Sequence, residues 1–321
     1  MKISALFIAL FTVSLGVNAV ASEASVFPKS AVRFLVPYPP GGSSDAVARV
    51  IAKGLSEEWK QPVVIENRPG AQTVIAMTSL AQAKPDGYTL GLITPTLAVN
   101  ATLFPNAPYD AVKSFQPLGT FAQNYAVLAV NPKTGVNDIK GLQRYAGEEG
   151  REVRFAAGHS IGVINSYLLL KKMGFKATLI PYNGSTPAIQ GVITSGLDFI
   201  YDSVVSMRPA IESGKLTAIA SLGDVRSPSM PSVATTDEQG LDWPYRSWSG
   251  LGGPAGMSPE LVSRISESLS RVLSSKDIQE QLKRLDVIPF ESSPEELKKS
   301  IAAEIELYRE VIMENNIPIN K

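Results

Sequence analysis

Residues Val32–Trp59 read VRFLVPYPPGGSSDAVARVIAKGLSEEW. An apolar run, Val32–Pro37, gives way to prolines and two glycines, and then to apolar residues at helical spacing from Ser44 to Trp59. This order predicts a strand, a stiff sharp turn and a helix. The prolines fix the loop backbone, and Gly41 and Gly42 let it turn tightly and come close to a ligand. Ser43 or Ser44 is placed to cap the helix. A helix start presents unpaired N–H groups and about half a unit of positive charge, so several converging starts hold an anion without Lys or Arg. Asp45, in the first turn, is read as a residue that stabilises its own helix, because facing a cleft it would repel an anion.

Working outward, the alternation repeats. Pro62–Glu66 is a predicted strand, Thr73–Lys84 a helix and Tyr88–Thr94 a strand. Later, the strands Val153–Ala157 and Ala177–Pro181 precede the helices Ile161–Met173 and Thr186–Ser195. Leu197–Tyr201 and Leu216–Ser221 are further strands, separated by a short helix from Val204. Two α/β blocks follow, near residues 30–120 and 126–222, each expected to hold a parallel sheet covered by helices. Gln116–Pro132 is extended and able to cross between them. Gly223–Tyr245 is turn-rich, Ser247–Gly252 reads as a strand, and helices dominate from there. The last helix, Pro294–Asn315, spaces Leu297, Ile301, Ile305, Tyr308 and Ile312 as an amphipathic face. If it returns to the first block, residues 22–125 and 247–321 form one lobe and 126–246 the other. The chain then crosses twice between lobes, with a ligand cleft between them.

Composition narrows the chemistry. The 321 residues are 44% hydrophobic and 19% charged, an ordinary globular balance. Thirty basic residues match thirty acidic ones, so no basic field draws nucleic acid. The absence of cysteine excludes disulfides, thiolate metal sites and a thiol nucleophile, and a single histidine, His159, removes most zinc and acid–base schemes. Lys2, the apolar run Ala5–Val17 and Ala19-Val20-Ala21 read as a leader over residues 1–21, cleaved after Ala21, on an exported protein.

Gly158-His159-Ser160-Ile161-Gly162 matches G-x-S-x-G between a predicted strand and helix. A serine hydrolase needs a histidine reaching the serine from another loop. The one histidine here is the serine's neighbour, whose side chain diverges from it. The stretch reads better as a glycine-rich turn with free N–H groups opening a helix. Asn183-Gly184-Ser185-Thr186-Pro187 opens another. Phosphate-binding glycine motifs are missing. Asp202, at the carboxyl end of Leu197–Tyr201, either caps the next helix or accepts a hydrogen bond from a hydroxyl or amine at a ligand's far end. Tyr38 is placed to lie against an apolar ligand body.

The loop Pro37–Asp45, together with Gln61-Pro62-Val63-Val64-Ile65-Glu66-Asn67-Arg68-Pro69-Gly70-Ala71 and Pro85-Asp86-Gly87-Tyr88-Thr89-Leu90, resembles the Bug family, the solute-binding proteins of tripartite tricarboxylate transporters. The resemblance runs on through Pro108-Tyr109-Asp110, Leu128–Pro132, Pro181–Pro187, Leu197–Asp202, Gly214–Ala220, Trp248–Gly256 and the final helix. It implies an α/β fold of the type II periplasmic binding protein kind, two lobes joined by two crossing segments. It implies a small organic carboxylate or dicarboxylate as ligand, gripped by loops of both lobes with ordered waters bridging. The matching positions are Tyr38, Gly42, Ser43 and Ser44 on the first lobe. On the second they are Gly158, His159 and Ser160, then Asn183 and Thr186, then Asp202; Thr94 and Thr96 are further candidates. The implied partners are the membrane subunits of such a transporter, with no nucleic acid, no cofactor and no metal, for a monomer in the periplasm. Three departures stand out. Ile161 and Gly162 occupy places where the family often has Ser or Thr, Asn183 stands where it commonly has Lys, and Gln72 and Thr73 stand where it usually has two glycines. The alternatives are a ligand-loaded sensor that presents an organic acid to a membrane signalling protein, and an exported serine hydrolase using Ser160.

Overall fold

The structure is a computed structural model and describes residues 27–182, 184–243 and 247–320. The predicted leader with its cleavage point, and Asn183, lie outside the described residues. Along the chain come β1 (Val32–Val36), α1 (Ser43–Trp59), β2 (Val63–Asn67), α2 (Val74–Ala81), β3 (Thr89–Ile93), α3 (Thr96–Leu103) and β4 (Phe115–Asn124). Then follow β5 (Ala126–Val130), α4 (Ile139–Ala146), β6 (Arg154–Ala157), α5 (Ser160–Met173), β7 (Thr178–Pro181), α6 (Ser185–Thr194), β8 (Phe199–Ser203), α7 (Val204–Glu212) and β9 (Thr217–Ser221). The chain closes with β10 (Ser247–Pro254), α8 (Pro259–Leu273), α9 (Lys276–Arg284), β11 (Val287–Ser292) and α10 (Pro294–Glu314).

The strands form two sheets, in the orders β11-β4-β10-β3-β1-β2 and β7-β6-β8-β5-β9. The chain passes from the first to the second at Tyr125 and returns between β9 and β10. The sheets are mixed, which corrects the expectation of purely parallel ones. The strand–helix units do pair in parallel, β1 with β2 and β3, and β6 with β7 and β8. The strands that arrive from the other sheet run the opposite way: β10 against β3 and β4, β5 against β8 and β9. No crossover helix carries those strands back to the starting edge, so antiparallel pairing is open to them. A second correction concerns the C-terminal part, where β11 adds an antiparallel strand to β4 among the helices.

Each sheet is covered on both faces. Phe34, Leu55, Leu90, Phe121 and Ile265 belong to one cluster on the first sheet, and Leu35, Met77, Leu80 and Trp248 to the cluster on its other face. Phe155 and Phe199 stack within the second sheet's larger cluster, at 5.3 Å between centroids. The amphipathic face of α10 is shared. Leu297 and Ile301 bury against the first sheet, whereas Tyr308, Val311 and Ile312 join α3 and α5 in the core of the second. Among the described residues no helix is long and apolar enough to cross a membrane.

Candidate ligand-binding site

The carboxyl ends of β1 and β3 on the first sheet, and of β6, β7 and β8 on the second, border one cavity of about 750 Å³. Open α/β sheets place ligands at this end of their strands, because the turns there lead into helix N-termini. Tyr38, Gly42, Ser43, Ser44, Thr94 and Thr96 line it from the first sheet, and Gly158, His159, Thr186 and Asp202 from the second. Ser160 is not in the wall: its Oγ is buried with no hydrogen-bond partner, and Ile161 lines the cavity instead. Neither lysine nor arginine lines the cavity among the described residues.

The first glycine-rich loop ends differently from the sequence reading. The N-cap of α1 is Gly42, with no side-chain capping bond, so Ser43 and Ser44 are the first two residues inside the helix rather than caps. Their early N–H groups carry the unspent end of the helix dipole into the cavity wall. Asp45 is 3% exposed and turned inward. Its Oδ2 accepts from the Gly41 N–H and from Arg49 Nε, each at 2.9 Å, and its Oδ1 accepts from Asn67 Nδ2 at 2.8 Å. Burial pushes the Asp45 carboxyl up, but Arg49, Gly41 and Asn67 outweigh it and hold it below the ordinary carboxylate range. Asp45 therefore ties loop, helix and β2 together, and it is not among the cavity-lining residues. Tyr38 reaches β3, its hydroxyl 3.0 Å from Thr94 Oγ1 and 3.4 Å from Thr96 Oγ1.

On the second sheet the turns after β6 and β7 touch. The Gly184 N–H donates to Gly158 O at 2.8 Å, and a Cβ on Gly158 would lie 2.2 Å from Gly184 O. His159 is the N-cap of α5: its Nδ1 accepts from the Gly162 N–H at 3.0 Å. That bond leaves the neutral ring's proton on Nε2, which lies 3.4 Å from Asp202 Oδ2. Asp202 is 2% exposed. Its Oδ1 accepts from the Ser203 N–H at 2.7 Å, while Oδ2 has no hydrogen bond of normal geometry. Burial pushes Asp202 up; the His159 ring, the Ser185 hydroxyl and the Ser203 N–H more than offset this and hold it low. Burial likewise pushes His159 down, and the Asp202 charge overrides it, so His159 sits above the ordinary imidazole value. The cap of α7 is Ser203, not Asp202, because the Ser203 Oγ accepts from the Ser206 N–H. Asp202 thus lines the cavity with its second oxygen facing the His159 ring.

Several wall residues were not singled out from sequence. Tyr125 lies at the crossing, Trp248 and Ser249 come from β10, and Ser203 and Ser206 stand at the start of α7. The S-x-x-S spacing of Ser203 and Ser206 is a cap signature that the sequence offers; nothing local marks Trp248. The wall also includes Gln72 and Thr73, in a turn whose Ala71, Gln72 and Thr73 all have positive φ, at 45°, 49° and 80°. This turn shortens the helix expected from Thr73 to one that begins at Val74. Taken together, the wall supplies amide and hydroxyl groups for an anionic end, one unsatisfied acceptor, and the rings of Tyr38, Tyr125 and Trp248.

Over residues 47–317 the sequence matches the family described as the tripartite tricarboxylate transporter family receptor. It is 31% identical over 312 residues to Protein BugT of Bordetella pertussis, covering 96% of this chain and 95% of that one. Rpa4515 of R. palustris, solved with adipate, superposes with a TM-score of 0.78 at 27% identity, covering 89% of this chain and 97% of the other. MatC from Rhodopseudomonas palustris, solved with bound malate, gives 0.74 at 28% identity over 89% and 100% of the two chains. The fold is thus the two-lobe α/β fold of periplasmic binding proteins, as also seen in BugD.

Proposed function

The chain belongs to the tripartite tricarboxylate transporter receptor family, and we propose that it is a periplasmic carrier that captures a small organic carboxylate or dicarboxylate and delivers it to the membrane subunits of such a transporter. The lobes are residues 22–125 with 247–321, and 126–246. An acid enters the open form and its carboxylate meets the starts of α1, α5 and α6 with their hydroxyls. Closure about Tyr125 and the return segment then buries it. The ligand favours the closed form only through contacts it gains with the second lobe. The protein works as a monomer and turns nothing over.

The observation that carries this reading is the cavity itself: helix starts from both sheets converge on it, with hydroxyls and no described lysine or arginine in the wall. Related proteins hold adipate and malate, which are both dicarboxylates. A thermal-shift screen of aliphatic and aromatic mono- and dicarboxylates tests it. At least one acid is expected to raise the melting temperature without being consumed. Hydrolysis of generic esters that disappears in Ser160→Ala would replace the carrier with an enzyme.

A further inference from the structure

Trp248 lines the cavity and is 4% exposed. On its hidden side the indole Nε1 donates to Glu304 Oε1 at 2.8 Å. Glu304 lies on α10 between Ile301, in the core of the first sheet, and Tyr308, in the core of the second. Its other oxygen, Oε2, is buried with no hydrogen-bond partner. The proposed ligand grip makes no use of this carboxyl.

The surroundings of Glu304 offer no counter-charge among the described residues. One turn away on α10 stand Ser300, Ile301, Leu307 and Tyr308, and α3, β4 and β10 carry no ionisable side chain. The ionisable residues of α5 are Tyr167, Lys171 and Lys172; Lys171 faces Glu314 at 2.9 Å and Lys172 faces Asp242 at 3.6 Å. Tyr109, a phenol raised by burial, completes the cluster around Trp248. Burial pushes the Glu304 carboxyl up to about 7, against a smaller lowering by the Trp248 hydrogen bond. Either form of the carboxyl accepts from the indole N–H. An ionised one sets a poorly solvated negative charge behind the wall that receives an anion.

We propose that Glu304 is a positioning residue of the ligand site, which backs Trp248 in the cavity wall and in its ionised form sets a negative charge behind it, so that capture of a carboxylate is linked to uptake of a proton from water by Glu304. This rests on the cavity being a carboxylate site. Glu304→Gln keeps the carbonyl acceptor and removes the titration. In the ligand-free protein the three tryptophans give three indole N–H resonances, and that of Trp248 is the one lost in Trp248→Phe. It is expected to titrate with a midpoint near 7 and to stay fixed in Glu304→Gln. Calorimetry with an acid found by the screen is expected to show about tenfold weaker binding at pH 8 than at pH 6, with net proton uptake. Glu304→Gln is expected to bind at both pH values with the wild-type affinity of pH 6. The dependence must survive in His159→Asn, which removes the other titrating group beside the cavity. An indole resonance that ignores pH, or a pH dependence that persists in Glu304→Gln, overturns the proposal. If the resonance titrates as expected and no acid binds, the carboxylate reading itself has failed and the coupling falls with it.

Discussion

A negatively charged residue in the wall of the proposed carboxylate site selects as well as repels. Asp202 keeps one oxygen satisfied by the Ser203 N–H, while the other, with no hydrogen bond of normal geometry, faces His159 Nε2 at 3.4 Å. An acid whose far end donates a hydrogen bond completes it; an acid ending in a bare carboxylate meets a like charge. Asp202→Ala is therefore expected to weaken acids bearing a distal hydroxyl or ammonium by about 10- to 100-fold, the worth of a hydrogen bond to a charged group. Acids lacking that donor should bind as well or better, and equal loss for both classes by calorimetry would remove the role. His159 does two jobs with one ring, capping α5 through Nδ1 and facing Asp202 through Nε2. His159→Ala should cost about 1 kcal/mol of stability through the lost cap, and His159→Asn should restore most of it, in urea unfolding. The pair also carries a pH signature. Asp202, held low, contributes stability above the ordinary carboxylate range that is lost as pH falls through its folded value. His159, held high, contributes below about 6.5, and its share is lost as pH rises through its folded value. Thermal melts from pH 5 to pH 8 should show the upper arm disappear in His159→Asn.

At the level of elements, the turn before α2 stores strain beside the cavity. Gln72 and Thr73 adopt left-handed backbone, at φ 49° and 80°, which favours glycine. An L-residue there costs about 1–2 kcal/mol. Asn100, on α3, holds the turn by donating from Nδ2 to Gln72 O at 2.7 Å and to Thr73 Oγ1 at 3.3 Å. Gln72→Gly is expected to raise stability by up to about 1 kcal/mol, since part of the relief is offset by glycine's extra chain entropy. Asn100→Ala should lower it by about 1–3 kcal/mol by removing both of these hydrogen bonds. A melting temperature that moves the same way in both variants would contradict this division. The sequence allowed the glycine-rich turns to be placed because each one pairs a strand's apolar run with a helix's start, a local pattern. It did not show β11: Val287–Ser292 is short and carries Pro289, and it becomes a strand only because β4 offers an open edge. The cap of α1 was misplaced by one residue for a related reason. Gly42 has no side chain to advertise the role, while two serines beside it do. Trp248 belongs to the site because β10, expected as a strand of the first lobe, inserts between β4 and β3, and no local pattern encodes that place in the sheet.

For the whole molecule, contacts between the two sheets are what the proposed opening of the cavity would have to break. α10 bridges them at its far end, where Tyr308, Val311 and Ile312 share a core with α5 and where Lys171 meets Glu314 at 2.9 Å. A second tie lies beside the crossing. Asp286, just before β11 and 4% exposed, accepts from Arg208 Nη1 of α7 at 3.0 Å and from Ser227 Oγ, after β9, at 3.2 Å. Its charge also reaches Tyr125, whose phenol is raised first by burial and then by Asp286. One carboxylate of the first sheet thus collects donors from two segments of the second, and it can do so only while the sheets keep this relative angle. Arg208→Ala leaves a buried carboxylate with Ser227 alone, at a cost of about 1–3 kcal/mol given that Arg208 is itself 40% exposed. Because that cost falls on the observed arrangement and spares more open ones, the ligand-free variant should scatter X-rays with a larger radius of gyration than wild type. Saturation with a bound acid should bring the two curves together, with a weaker apparent affinity for the variant, because part of the binding energy is spent on closure. Identical ligand-free scattering, with only a lowered melting temperature, would show that the bridge stabilises the fold without governing the opening.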